Sequence, residues 1–466
     1  MIKRTLVRAA ALTTSICLLT VFFASCAVRR KTVKEPVTLT VLSWNDDFRE
    51  IVESYLIPRY PELMENVTIH WVTDEINGYR DRLLARLDAG EPVDLFLGDN
   101  EMAPWFAASP GTASLRELGL DTRDLAAQYR CTRLLGSDGN GVQKGSAMTV
   151  EPGVLLYRTD YAAQYLGITR PEDMQARLST WEAFLETASQ LREKSDGKIR
   201  MLPNATELWR SVNTAMSGRW LSDGRLSVSD DALSQWMETV RSFNDAGGFL
   251  GVNSFSDEWY NAIDDGVFCV YAAPWMCKSN IPDRADITTV FSSARQSGVS
   301  FGRFGVAAPP VGFLYGGTWL YGSAHSSHKE LVGQIIRACT CDADLMREMA
   351  LRRMEFVNHT EVCRSLGELK ISNPLFDGLD AFSVYRTAAE GMDFAAPSVY
   401  DGEVSAQLLK QARAYAKGEA TLTDAVYRFR LGVWKLYPDI TDEPQPPQTV
   451  PETPQTGQTP QTDQTP

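Results

Sequence analysis

Residues 37–98 carry a pattern that leaves few folds open. VTLTVLS (37–43) alternates as a strand does, and DDFREIVESYLI behind it places Phe48, Ile51, Val52, Tyr55 and Leu56 at helical spacing. Pro58 and Pro61 are expected to close that helix. VTIHWV (67–72) then reads as a second strand, YRDRLLARL (79–87) as a second helix and VDLFLG (93–98) as a third strand. Strands alternating with helices through short joins imply right-handed parallel crossovers, and therefore an α/β fold. Open parallel sheets collect ligands beyond the carboxyl ends of their strands. Trp44, Asn45 and Asp46 follow the first strand and Asp99 and Asn100 the third, so these five are candidate ligand-binding residues. Asp46 has a competing role as a helix N-cap.

A second α/β series follows. GVLLYRTDYA (153–162) supplies a strand, and Ser179 with Glu182 forms a capping box before the helix WEAFLETASQLREK. Glu207–Met216 is helical, SDGR (222–225) is a turn, and ALSQWMETVRSFNDAG is a helix stopped by Gly247 and Gly248. VFCVYAAPWM (267–276) is a buried strand ended by Pro274, with Trp275 just past the stop. FGVAAPPVG (304–312) is extended, YGGTWLYGS is strand-like, HKELVGQIIRACT starts a helix, and most of the remainder is helical. Two α/β lobes built from non-contiguous pieces fit this better than two successive domains, and 466 residues suffice for two or three. Trp71 and Trp236 lie on patterned elements and are assigned to the core.

The ends are of another kind. MIKRTLVRAAALTTSICLLTVFFASC has a basic front, a short apolar run and small residues before Cys26, which marks an export signal rather than a membrane span. The cysteine after Ala24 and Ser25 resembles a bacterial lipobox, in which Cys26 would be acylated. Residues 27–36 read as a tether. From Asp442 the chain is Pro, Gln and Thr in near-repeat, which cannot bury a core and reads as a disordered linker.

Composition excludes several functions. The net charge of −13, more negative once the basic signal leaves, argues against nucleic acid. Six cysteines remain beyond Cys26: Cys131, Cys269, Cys277, Cys339, Cys341 and Cys363. Their spacing suits no zinc site, and buried thiols or one bridge from Cys363 to Cys339 or Cys341 are both open. A hydrolase is the rival class. Gly298-Val-Ser300-Phe-Gly302 fits G-x-S-x-G, but polar SSARQS precedes it where a buried strand is required. Ser326 and Lys329 fit S-x-x-K without a following K-T-G. His70, His325, His328 and His359 lack H-E-x-x-H spacing, and Asp264-Asp265 adjoins a glycine turn. A surface adhesin is a third class, encouraged only by the tail. No cofactor or metal is expected.

In order along residues 37–440, several segments together resemble the extracellular solute-binding proteins of ABC importers, the carbohydrate-binding family that includes maltose-binding protein. They are VTLTVLSWND, DLFLGDN, KGSAMTVEPGVLLYRTDYAAQYLG, STWEAF, IDDGVFCVYAAPWM, FGVAAPPVGFLYGGTWL and KGEATLTDAV. The resemblance implies a type II periplasmic-binding-protein fold, two lobes hinged around a ligand cleft, in a monomer that hands a small solute, a carbohydrate, to permease subunits. It divides the chain into signal 1–26, tether 27–36, first lobe 37–147, second lobe 148–302, a return to the first lobe at 303–335, second lobe and C-terminal helices at 336–441, and tail 442–466. It implies an aromatic platform at Trp275 and a ligand-binding carboxylate at Glu151, and it points to Trp209, Trp319 and Tyr400 as further aromatic contacts. Such a site suits a sugar, since a flat ring covers its C–H face while Asp, Asn and Glu pair with hydroxyls that both donate and accept.

Overall fold

The computed structural model describes residues 35–216, 220–277, 303–369, 376, 380–393, 395 and 398–447. The first strands are β1 (Val37–Ser43), β2 (Val67–Thr73) and β3 (Leu95–Gly98). Both β2 and β3 pair with β1 in parallel, Val37 opposite Val67 and Val41 opposite Leu95, as the alternating segments require. Next come β4 (Gly145–Pro152) and β5 (Val154–Arg158), separated only by Gly153. The short strands β6 (Leu221–Ser222) and β7 (Arg225–Leu226) form a hairpin whose turn residues Asp223 and Gly224 both have positive φ, as a type I′ turn demands. The last strands are β8 (Cys269–Ala272), β9 (Phe304–Ala307) and β10 (Leu314–Gly322).

Two main sheets result. One has the order β2-β1-β3-β10-β4, with β10 antiparallel to both neighbours; the other is β8-β5-β9, antiparallel throughout. The chain leaves the first sheet between β4 and β5 and returns between β9 and β10. These crossings touch: the Gly153 N–H donates to the Phe313 carbonyl at 2.7 Å. A Cβ on Gly153 would lie 2.1 Å from the Phe313 ring, so only glycine lets the two segments meet.

Several sequence expectations shift. Residues 303–313 were assigned to the first lobe, but β9 pairs with β5, and the chain enters the first sheet only at Leu314. Residues 336–368 were assigned to the second lobe, yet they pack on the first. Arg59 pairs with Asp344 at 2.9 Å, Arg353 with Glu50 at 2.8 Å, and Asn358 Oδ1 accepts the Tyr129 N–H at 3.1 Å. An amphipathic helix shows which face it buries but not against what. The later helices Asp401–Ala416 and Leu422–Leu436 do join the second lobe, against helix Asp230–Asp245.

Local boundaries move for equally physical reasons. The first helix continues through Pro58 to Arg59, because a π-helical turn at Val52–Leu56 precedes the proline. That wider turn accommodates a residue with no N–H to give. The cap of helix Trp181–Lys194 is Thr180, which accepts the Ala183 N–H at 3.2 Å, one residue beyond the expected Ser179. None of the six cysteines of the described chain is in a disulfide; five are buried and Cys341 is half-buried. Trp71 and Trp236 pack, half-buried, against the core. Among the described residues no helix is long and apolar enough to cross a membrane. Cys26 and the tail from residue 448 lie outside the described residues.

Candidate functional site

A cleft of about 470 Å³ opens between the two sheets. The first sheet contributes Trp44 and Asn45 from the end of β1 and Asp99, Asn100 and Glu101 from the end of β3. The second contributes Trp275, just beyond β8, and Arg210 from helix Ala205–Met216. Met148, Thr149 and Glu151 on β4 and Leu314–Thr318 on β10 form the floor. The site therefore lies where the parallel strands end and where both crossings run.

Trp275 is held at two points. After β8 the chain makes a 3-10 turn at Pro274–Cys277. The Trp275 backbone N–H donates to Glu151 Oε2 at 2.9 Å, and its indole Nε1–H donates to the Tyr315 carbonyl at 3.1 Å. Its neighbours Pro274 and Met276 are buried, while Trp275 keeps 38% of its surface exposed. Beside it, β10 loses register between Leu314 and Gly317, with Gly316 and Gly317 at φ of 120° and 116°. A side chain there would be strained by the backbone angle, and a Cβ on Gly316 would touch the indole Nε1 at 3.4 Å and the Glu151 stem at 3.5 Å. The two glycines keep the floor open beside the ring.

The charges divide by side. Burial, reinforced by the charge of Glu101, pushes the Asp99 carboxyl up to about 6, although Oδ1 accepts the N–H groups of Glu101 and Met102 at 2.9 Å each. Glu151 is buried. Behind the lining residue Glu355, buried Arg353 forms ion pairs with Glu50 and Glu355 at 2.8 Å each. Burial opposes its charge, and those two carboxylates overcome that opposition. On the opposite side, the Arg210 guanidinium lies 4.0 Å from the centre of the Tyr315 ring.

Six of the ten residues proposed from sequence thus share one cleft: Trp44, Asn45, Asp99, Asn100, Glu151 and Trp275. The other four do not line it. Asp46 accepts the Thr73 hydroxyl at 2.9 Å, and its side chain makes no helix cap either. Trp209 is 5% exposed, with Nε1 donating to Ser405 at 2.7 Å toward helix Asp401–Ala416. Trp319 is fully buried and donates to the Thr132 carbonyl at 2.9 Å. Tyr400 packs edge-on against Tyr437, ring centres 5.0 Å apart. The two tryptophans follow from packing: an indole beside a crossing strand or between two helices fills the interior as readily as a cleft. Sequence reasoning missed Arg210, Tyr315, Gly316, Gly317, Glu101 and Glu355. For Arg210 the signal was adjacent, since one step along a helix turns a side chain by about 100°.

The hydrolase motifs are used structurally where they are described. The Ser326 hydroxyl donates to buried Asp94 at 2.5 Å, and Lys329 sits 3.9 Å from Glu117. Asp265 accepts the Tyr161 hydroxyl at 3.0 Å, and neither it nor Asp264 lines the cleft. Ser300 lies outside the described residues. Among the described residues, no group of three or more His, Cys, Asp and Glu side chains could hold a metal ion.

Solved structures share this architecture. One described as an extracellular solute-binding protein family 1 superposes with a TM-score of 0.73 at 16% identity, covering 86% of this chain and 99% of its own. The sugar-binding protein MalE of Xanthomonas citri gives 0.64 at 14%, covering 84% and 95%. The galacto-N-biose-/lacto-N-biose I-binding protein of an ABC transporter from Bifidobacterium longum, in complex with lacto-N-biose, gives 0.63 at 13%, covering 87% and 97%. These likenesses establish the fold as type II periplasmic-binding-protein-like. No curated protein matches the sequence. Residues 57–357, more than half of the chain, match the family model described as bacterial extracellular solute-binding protein. With a two-lobed fold and a cleft at the strand ends, the chain belongs to the bacterial extracellular solute-binding proteins.

Proposed function

We propose that this protein captures a carbohydrate in the cleft between its lobes and delivers it unchanged to the permease of an ABC importer. The observation that carries the reading is Trp275, a large aromatic ring held by two hydrogen bonds yet left open to a cleft that Asp99, Glu151, Asn45 and Asn100 also line. A ring covers the apolar face of a sugar, and the carboxylates and amides pair with its hydroxyls. Trp44, half-buried and edge-on to Tyr79 at 5.8 Å, is a second ring beside the same space. Solutes bound by similar proteins, lacto-N-biose among them, agree with this chemistry. Acylation at Cys26 would tether the monomer outside the cytoplasm, with the segment up to β1 as its leash. Closure follows from a solute that touches both lobes at once, because only a differential contact shifts the open–closed balance.

A thermal-shift screen over sugars tests this. A bound solute at a hundred times its Kd adds about 2.7 kcal/mol to stability, and small-angle scattering should contract on addition of the same sugar. Contraction with no product formed is the expected result; turnover of the sugar would instead make the protein a hydrolase.

Asp99 adds a pH dependence. A solute hydroxyl donating to its carboxylate competes with a proton held up to about pH 6. Affinity for a neutral sugar should therefore rise from pH 5 to about 7 and then level off. In Asp99→Asn the titration curve should be flat. Stability runs the other way: the folded form keeps a proton the unfolded chain has lost, so this carboxyl's contribution declines as pH rises toward 6. Calorimetric titrations across that range distinguish the two slopes.

A further inference from the structure

We infer that Arg210 is the second lobe's polar anchor for the solute, and that its guanidinium fork takes paired acceptor oxygens of an uncharged sugar. This rests on the carbohydrate reading of the cleft and adds a residue and a charge preference to it.

Arg210 stands out because it lines the cleft without a carboxylate partner among the described residues. Arg353, which does not line the cleft, is by contrast paired with Glu50 and with the lining residue Glu355. Arg210 Nε is buried without an acceptor, and no described carboxylate forms an ion pair with the group. Glu207, one turn earlier, feels its charge but is itself fully committed. Its oxygens accept from Ser254 at 2.8 Å, from Trp259 Nε1 at 3.1 Å and from the Tyr271 N–H at 3.0 Å. Those bonds fasten the helix to β8, and the Tyr315 ring supports the guanidinium at 4.0 Å. Arg210 is thus held on the ring at a position that lines the cleft. A planar fork held on an aromatic ring is pre-organised for two acceptors side by side.

The rest of the lining decides which acceptors. Among the described lining residues, Asp99, Glu101 and Glu151 share the cleft with Arg210 as the one cation. Among these groups an acidic sugar would gain one attraction and meet several repulsions. A neutral sugar meets none: its hydroxyls donate to the carboxylates and its ring and hydroxyl oxygens accept from Arg210. Because these partners belong to different lobes, a sugar bridging them also draws the lobes together.

Isothermal titration with neutral sugars (galactose, lactose, cellobiose and maltose) and their acidic counterparts galacturonate and glucuronate tests the assignment. The wild type should bind at least one neutral sugar more tightly than any acidic one, with affinity nearly constant between about 0.05 and 0.5 M salt. Arg210→Met keeps the stem on Tyr315 and should weaken that sugar about 10- to 100-fold with an unchanged Tm. Arg210→Lys keeps the charge without the fork and should fall between; it serves as the test if Arg210→Met does not fold. Wild-type affinity in both variants would overturn the role of Arg210 while leaving the carbohydrate reading intact. Tighter binding of a uronate, weakened by salt, would overturn the preference for uncharged oxygens. Failure of the wild type to bind any sugar of the panel would remove the carbohydrate reading and this inference together.

Discussion

Replacing Trp275 with alanine is expected to weaken solute binding by about 2–4 kcal/mol, roughly 30- to 1,000-fold, and to leave the fold nearly as stable as before. The two effects separate because of how the residue is held. Its backbone N–H to Glu151 survives in alanine, and only the indole N–H to the Tyr315 carbonyl is lost. A ring 38% exposed in the unliganded cleft contributes little apolar burial to folding, and the lost bond is worth about 1 kcal/mol. Titration calorimetry and thermal melting on the same preparation are the check. A fall in Tm of the size expected for a core tryptophan would mean that the ring serves the interior instead. Trp275→Phe should recover part of the affinity, since a smaller ring still offers a face.

Glu207→Ala should act first on the fold, with a loss of about 3–5 kcal/mol of stability and a Tm lower by roughly 4–6 °C. The carboxyl is fully buried and accepts from three donors. Its removal takes away the acceptor of the Trp259 indole N–H and of the Tyr271 backbone N–H, while Ser254 can turn elsewhere. Each unsatisfied buried donor costs about 1–3 kcal/mol. Binding would suffer as well, through β8 and the turn that carries Trp275. Burial holds the Glu207 carboxyl above the usual carboxylate range, against the pull of Ser254, Arg210, Tyr271 and Trp259. The folded protein therefore keeps this proton to higher pH than the unfolded chain, and the contribution fades as pH rises through the folded value. Glu207→Gln should flatten that part of the stability profile, which melting curves across pH would reveal.

Much of the architecture was legible in the residues. β1, β2 and β3 alternate or run apolar with helices between them, and the parallel pairing follows from the short joins. Other elements were not. In β4 all eight residues are buried, so GSAMTVEP shows no alternation to read. The segment after Pro274 could be placed outside the strand, which is why Trp275 was accessible to reasoning. Trp209 and Trp319 were not separable from it on residue type, since an indole serves a core or a cleft equally well.

The order of strands and helices, the turn glycines, and the rigid aromatic past a strand's end were properties of the chain alone, because local sterics and hydrophobic periodicity act within a few residues. Which lobe receives β9 and the helices of 343–368, that Arg210 rather than Trp209 faces the cleft, and that Glu151 and Trp275 meet 124 positions apart were decided by tertiary packing. Those outcomes depend on which surfaces find each other across the crossing at Gly153 and Phe313, and no short-range rule carries that information.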